Sequence, residues 1–125
     1  MSRIRGRDTG PEVTVRSVLH RVGYRFRLQA AELPGRPDIV LPKYRTVVFV
    51  HGCFWHRHKD CRFAYRPKSR VEFWQKKFDE NIGRDAQARR RLRKLGWRVV
   101  VVWECQTVSR ERLSIRLERV LSRKH

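Results

Sequence analysis

The chain has 125 residues, 40% of them hydrophobic, and a formal net charge of +19. This composition suits a single domain, residues 1–125, with one core and a polyanionic partner, for which nucleic acid is the expected class. No apolar run approaches the roughly 20 residues that cross a bilayer, and no apolar segment near Met1 marks export. The three cysteines argue against a disulfide scaffold because an odd number cannot pair off. We therefore expect a cytoplasmic protein with no membrane partner.

The first half of the chain predicts a helix followed by three strands. A capping box at Thr9–Glu12 begins the helix, and Gly23 ends it. Residues 24–28 alternate apolar and polar side chains, which predicts a strand with one basic, solvent-facing side. Residues 38–41 and 46–50 are short β-branched runs, and the four residues between them suit a hairpin turn.

The hairpin has a consequence for function. If Leu41 pairs with Thr46, Asp38 lies opposite Phe49, and His51 projects just beyond the same open end. A carboxylate and an imidazole are therefore expected to converge at one edge of the sheet.

The second half predicts helix, strand and helix. A capping box at Ser69–Glu72 begins a long helix that ends at Gly96, with Gly83 as a candidate break. Residues 98–103 predict a strand buried on both faces, and a last helix runs from about Ser109. Alternating element types favour an α/β architecture.

Cysteine and histidine cluster in the loop after the second hairpin strand. Cys53, His58 and Cys61 offer three soft ligands within nine residues, and Cys105 follows the last strand. Cys3His is a standard structural zinc set, which would tie the loop to the sheet. Buried or idle thiols are the alternative, and His56 or His51 could replace His58 as a ligand.

Asp38 is the first candidate for catalysis. Pro37 and Asp38 enter a hairpin as they do in the metal site of many restriction-type nucleases, where a carboxylate is the oxygen ligand that Mg²⁺ prefers. The Glu-x-Lys that completes that pattern is absent, and Val50 and His51 stand in its place. On this pair of residues alone, a turn aspartate is the favoured interpretation.

Nearly the whole chain resembles the very short patch repair (Vsr) mismatch endonucleases. The most specific segment is His51–His56, which reads His-Gly-Cys-Phe-Trp-His. The other matching segments are Arg7–Thr9 with Glu12, Leu33–Asp38, Glu72–Trp74, Arg84–Asp85, Leu95–Val99 and Val102–Cys105.

This resemblance implies a role for each matching polar residue. Asp38 would bind Mg²⁺ directly, and the main-chain carbonyl of Val50, where family members often have Thr, would be the second protein ligand. Glu12 and His51 would hold metal-bound waters, and His56 would act as general acid or base. The three cysteines and His58 match the family's zinc ligands.

Each of these roles has a structural alternative. The capping box accounts for Glu12 without any metal, although a carboxylate can both cap a helix and hold a water. His51 could be a strand-end residue packed against Trp103, and His56 could be a zinc ligand.

The resemblance also implies how DNA is bound. Phe54 and Trp55 would insert beside a T·G mismatch, and Met1 aligns with a family methionine that enters the opposite groove. A basic N-terminal arm, residues 1–8, and Arg36 near the scissile strand would contact phosphates. The basic residues of that arm are Arg3, Arg5 and Arg7.

The sequence as a whole predicts a restriction-endonuclease-like domain with a mixed β-sheet flanked by helices and a structural Zn²⁺. As a family member it would use Mg²⁺ to nick duplex DNA 5′ to the thymine of a T·G mismatch, as a monomer in a bacterial-type cytoplasm at the nucleoid. A MutL-like repair protein is a candidate partner. Two alternatives remain: a related nicking or restriction-type nuclease without mismatch choice, motivated by Val50 and the short arm, and a non-catalytic, zinc-stabilised nucleic-acid-binding module.

Overall fold

The computed structural model describes residues 10–28 and 30–122. The first capping residue Thr9 and the whole predicted N-terminal arm, with Met1, Arg3, Arg5 and Arg7, lie outside the described residues. The helices are α1 (Gly10–Arg21), α2 (Val71–Lys94) and α3 (Arg110–Leu121), and the strands are β1 (Arg27–Leu28), β2 (Ile39–Leu41), β3 (Thr46–His51) and β4 (Arg98–Trp103).

The four described strands form one mixed sheet in the order β1-β2-β3-β4. The first three strands are antiparallel neighbours, whereas β3 and β4 are parallel. Leu41 pairs with Thr46, which confirms the predicted hairpin register. Helix α2 makes the long connection that a parallel pair requires. An α/β domain with a mixed sheet is thus confirmed, and the restriction-endonuclease type of fold stays a prediction.

The core has two parts, one on each face of the sheet. Alternate strand residues point to opposite faces, so Val48 belongs to one part and Val47 to the other. The larger part joins α1 and α3 to the sheet, and its fully buried residues include Val15, Leu19, Leu41, Val102, Leu113 and Leu117. The smaller part packs Phe49 with Leu92 of α2. The molecule is therefore layered as helices, sheet and helix.

Two predictions about the strands need correction. The strand predicted over residues 24–28 is only two residues long, because Tyr24 and Phe26 turn toward the core while Arg27 and Leu28 are exposed. The predicted burial of β4 on both faces holds for one face only. Val100 and Val102 are buried, but β4 ends the described sheet, so Val99 and Val101 keep partial exposure.

Helix α2 differs from its prediction at two points. It begins at Val71, so Arg70 rather than Ser69 is the N-cap residue. Arg70 has a left-handed backbone conformation (φ 52°), and its side chain makes no capping hydrogen bond. The helix also runs unbroken through Gly83. An exposed glycine costs a helix only about 1 kcal/mol relative to alanine, and the packing of Phe78 and Leu92 holds both halves in place.

One glycine fixes how closely α2 approaches the loop before β2. Gly35 has a positive φ of 73°, and a Cβ built on it would lie 2.6 Å from the Cβ of Ala88. The loop backbone therefore rests directly on α2. No helix within the described ranges is both long and apolar enough to span a bilayer.

We expect Leu117→Ala to lower the free energy of unfolding by about 2–5 kcal/mol, because Leu117 is 1% exposed between α3 and the sheet. Ile115→Ala is the matched control on the same helix, since Ile115 is 57% exposed. Urea denaturation measures both variants. Equal losses of stability in the two would contradict this placement of the core.

Candidate active site and metal cluster

Asp38 lies where β2 begins and β3 ends. Its Oδ2 accepts a hydrogen bond from the backbone N–H of Val50 at 2.7 Å. The pairing of Ile39 with Val48, continued by one residue, brings Asp38 opposite Phe49, as the hairpin predicts. The strand pairing thus fixes the position of this carboxylate.

Asp38 shares its surroundings with a second carboxylate, Glu12, which the first turn of α1 brings to the sheet edge. Glu12 is 4% exposed. Burial and a hydrogen bond to Glu12 raise the pKa of Asp38 to about 8. Two carboxyl groups this close cannot both be ionised cheaply unless a cation lies between or beside them. Asp38 and Glu12 can therefore retain a proton at one pH and bind a hard cation at another.

His51 is buried at the end of β3 and held by α2. Its Nε2 lies 2.8 Å from Oδ1 of Asp85, and the other oxygen of Asp85 forms an ion pair with Nε of Arg89 at 2.9 Å, although that contact lacks hydrogen-bond alignment. The ring of His51 also meets Trp103 edge to face, with centroids 5.3 Å apart. The alternative packing of His51 against Trp103 is therefore observed, and it is compatible with a polar role for the ring nitrogens of His51.

The other nitrogen of His51, Nδ1, is buried and has no hydrogen-bond partner among the described residues. Because Asp85 is a carboxylate, its bond to Nε2 favours the tautomer with the proton there, which makes Nδ1 an acceptor. A buried acceptor without a partner is costly unless a water or ligand satisfies it. This atom is consistent with a bound water.

His56 stacks on His51. The two rings are 3.9 Å apart and nearly parallel, at 4°. Burial, together with the neighbouring His51, lowers the pKa of His56 to about 4. In the protein without DNA, a ring with this lowered pKa is neutral at pH 7.

Two clefts open on either side of Asp38. The larger, of about 840 Å³, is lined by Glu12, Asp38, Val50 and Glu104 together with aromatic side chains. The smaller, of about 340 Å³, is lined by Arg36, Asp38, His51, His56 and Asp85, among others. Asp38 and Val50 line both, so a substrate in either cleft would contact the same carboxylate.

These residues fit a Mg²⁺ ion. Asp38 and Glu12 supply carboxylate oxygens, which are the ligands that Mg²⁺ prefers, and Val50 lines the clefts beside them. The unpartnered Nδ1 of His51 suits the waters that Mg²⁺ usually retains. The sequence-derived set of Asp38, Glu12, His51 and Val50 is thus brought to one corner.

Cys53, His58, Cys61 and Cys105 form a second group, whose ligand atoms all lie within 4.8 Å of one another. His58 Nδ1 is 3.6 Å from Cys53 Sγ and 3.4 Å from Cys105 Sγ. A tetrahedral zinc with ordinary bond lengths would separate sulfur and nitrogen by about 3.5 Å. The residues therefore fit zinc. His56 lies in the other group, with His51 and Asp85.

Aromatic rings crowd the mouth of the larger cleft. Phe54 is half-buried and contacts Tyr65, Trp74 and Phe78, with ring centroids 4.8–5.5 Å apart. Trp55 is 43% exposed and rests against Trp74. The two predicted wedge residues thus differ, because Phe54 is anchored in an aromatic cluster while Trp55 presents its ring to solvent. Arg36 is exposed beside the smaller cleft.

Sequence reasoning gave no role to Asp85, Arg89 or Glu104. Asp85 and Arg89 face the sheet from α2, and the many other charged residues of this helix give the pair no distinct sequence pattern. Glu104 directly follows β4, and its Oε1 accepts a hydrogen bond from the backbone N–H of Cys53 at 3.2 Å. The parallel pairing of β3 with β4 could have signalled Glu104, because the carboxyl ends of parallel strands lie at one edge.

Comparison with known proteins identifies the family of this chain. The family model described as DNA mismatch endonuclease Vsr matches residues 1–62. The type II nicking enzyme V.XorIIP of Xanthomonas oryzae pv. oryzae is 49% identical over 121 residues, which cover 97% of this chain and 88% of the relative. The DNA mismatch endonuclease Vsr of Escherichia coli is 48% identical over 114 residues, covering 91% and 72%. The type II nicking enzyme V.NmeAIP of Neisseria meningitidis is 45% identical over 118 residues, covering 91% and 84%. The resemblance found in the sequence is thereby confirmed: the chain belongs to the Vsr family of endonucleases.

Proposed function

We propose that this protein is a Mg²⁺-dependent DNA endonuclease that nicks one strand 5′ to the thymine of a T·G mismatch, the product of 5-methylcytosine deamination. The observation that carries the proposal is the buried pair of Asp38 and Glu12 at the sheet edge, next to the hydrogen-bonded pair of His51 and Asp85. Membership of the Vsr family supports it. Action as a monomer in the cytoplasm and a MutL-like partner belong to the same proposal.

In this function Asp38 and the carbonyl of Val50 would hold the cation. Bound Mg²⁺ supplies neutralisation of the charge that develops on the phosphate during hydrolysis. The backbone N–H of Val50 orients the Asp38 carboxylate, and the buried Glu12 beside it would hold a water. Asp38 and Glu12 would have to give up the proton that they otherwise retain in order to hold the cation, because their oxygens bind it in the ionised form.

His51 would orient a water, and His56 would transfer a proton. Asp85 accepts from Nε2–H of His51, so His51 Nδ1 can accept a hydrogen bond from a water and orient it. His56 is neutral at physiological pH, because its burial and its neighbour His51 lower its pKa to about 4. Its neutral ring can accept a proton, and a phosphate in the smaller cleft would favour the protonated ring that donates to a leaving oxygen.

Mismatch choice would come from the exposed aromatic ring. Inserting a ring between base pairs costs a few kcal/mol of unstacking, and a mismatched pair is cheaper to open than a matched one. Trp55 is exposed at the cleft mouth and backed by Trp74, which suits a rigid wedge. Phe54 anchors that wedge to α2 and contributes through its packing. Arg36 would hold the strand beside Asp38.

The four Cys/His residues would hold a structural Zn²⁺ with no open position for chemistry. Because Cys53 follows β3 and Cys105 follows β4, the ion would connect the loop to two strand ends. Burial raises the pKa of the Cys53 thiol to about 12 in the metal-free chain, so binding zinc must displace a proton there.

The first test is a nicking assay on T·G and T·A duplexes of the same sequence. We expect Mg²⁺-dependent nicking of the T·G duplex only, and Asp38→Asn to slow it by roughly 10³-fold, because several kcal/mol of charge stabilisation are lost. Asp79→Asn, an exposed position on α2, is the matched control. Equal nicking of both duplexes would favour the related nuclease without mismatch choice, and full activity of Asp38→Asn would exclude the assigned mechanism.

The second test is metal content. Native mass spectrometry should find a bound zinc in the wild-type protein and in His20→Ala, whose histidine is exposed on α1, but not in His58→Ala or Cys105→Ser. Loss of the ion should also destabilise the loop, seen as faster proteolysis between Cys53 and Cys61. A zinc-free wild type, purified without chelators, would refute the site.

The third test is titration of the histidines by NMR in the protein without DNA. Because the pKa of His56 is lowered to about 4, its ring should stay neutral from pH 7 down to about 5 and become protonated only below that. If the His56 ring instead takes up its proton near the ordinary value of 6.5, the burial of His56 against His51 is incorrect.

A further inference from the structure

A third cavity adjoins the larger of the two clefts beside Asp38. Its volume is about 480 Å³, and it lies between the Cys/His loop and the start of α3. Arg62 and Phe63 line both this cavity and the larger cleft beside Asp38, so the two spaces are neighbours. We call it the arginine pocket. Its polar lining consists of Arg62, Gln106, Ser109, Arg112 and Arg116 with Cys105.

The charge of the arginine pocket is one-sided. Three guanidinium groups line it and no carboxylate does. Arg62 and Arg112 are exposed, and neither forms an ion pair with any carboxylate of the described residues. Such a concave cationic lining concentrates positive potential.

Arg116 distinguishes this pocket from an ordinary basic surface. Its Nη2 donates to the carbonyl of Val101 at 3.0 Å, which fixes the guanidinium against β4. Its Nη1 is buried and has no hydrogen-bond partner within the described part of the chain. Burial lowers the pKa of Arg116. A partly desolvated guanidinium attracts a nearby anion more strongly than a fully hydrated one does, because less water screens its charge.

We propose that the arginine pocket binds a backbone phosphate of the DNA strand that continues out of the active-site cleft. A phosphate group matches the fork of donors that arginine presents, and a polyanionic strand can reach the pocket because Arg62 borders both spaces. The proposal rests on the proposed function only in that the chain binds DNA. It assigns Arg62, Arg112 and Arg116 to DNA affinity and none of them to catalysis.

The test measures DNA binding on a matched T·A duplex in EDTA, where neither cutting nor mismatch choice contributes. Each lost phosphate contact should reduce the slope of log K against log salt concentration by about 0.9. Because the pocket is proposed to hold one phosphate, we expect Arg62→Gln/Arg112→Gln to reduce the slope by about 0.9. Arg119→Gln, exposed on α3 outside the pocket, removes a charge from the same helix and should leave the slope within about 0.3 of wild type. Arg116 is kept because it also bonds Val101.

A phosphate scan identifies the contact. Single methylphosphonate substitutions along the duplex neutralise one phosphate at a time, and one of them should weaken wild-type binding but not binding by the double variant. Inorganic phosphate, titrated against the DNA-free protein by NMR of the arginine side chains, tests a free anion as the occupant. If phosphate binds there while the double variant keeps the wild-type salt slope, the pocket serves a free anion and the proposal is wrong.

Two outcomes separate this proposal from the proposed function. If T·G preference or Mg²⁺ dependence fails while the slope changes as expected, the arginine pocket still holds DNA. If the double variant and Arg119→Gln have equal slopes, the pocket proposal fails, whatever the nicking assay shows for the wild type. Circular dichroism of the double variant checks that it folds, because both side chains are exposed.

Discussion

The fixed register of β3 between its two neighbours is the constraint on which the site depends. On one side β3 is antiparallel to β2, and on the other it is parallel to β4. The start of β2 and the ends of β3 and β4 therefore meet at a single edge. This edge carries Asp38, Val50 with His51, and Glu104, so backbone hydrogen bonds rather than flexible loops set their separation.

Helices from both faces of the sheet complete that edge. Helix α1 delivers Glu12 to Asp38 from one face, and α2 delivers Asp85 to His51 from the other. Because each carboxylate is buried, its ionisation depends on its neighbours: Asp85 has two basic partners, whereas Asp38 has another acid. The same protein thus keeps one carboxylate charged and the other poised to take a cation, in a chain whose net charge is +19.

The sequence predicted the parts of this structure that local pattern controls. Two short β-branched runs and the four-residue turn between them were enough for the hairpin register, and the short spacing of Cys53, His58 and Cys61 was enough to find the cluster. Contacts between segments that are distant in the sequence were harder to predict. Asp85 is one acid among many charged residues of α2, and nothing in its local pattern distinguishes it. The pKa of His56 depends on a ring stacked on it after folding, which its residue type does not encode. The metals and the mismatch remain predictions, because ligand chemistry narrows the choice of ion and substrate but does not fix it.

The contact between Gly35 and Ala88 has a mechanical consequence. Here the chain segment leading to Asp38 touches the helix that bears Asp85 without any side chain of its own in between. The distance between this segment and α2 is thus set by the loop backbone and the small side chain of Ala88. A single methyl group added to Gly35 would act as a spacer, moving the helix that bears Asp85 away from the strands that bear Asp38 and His51.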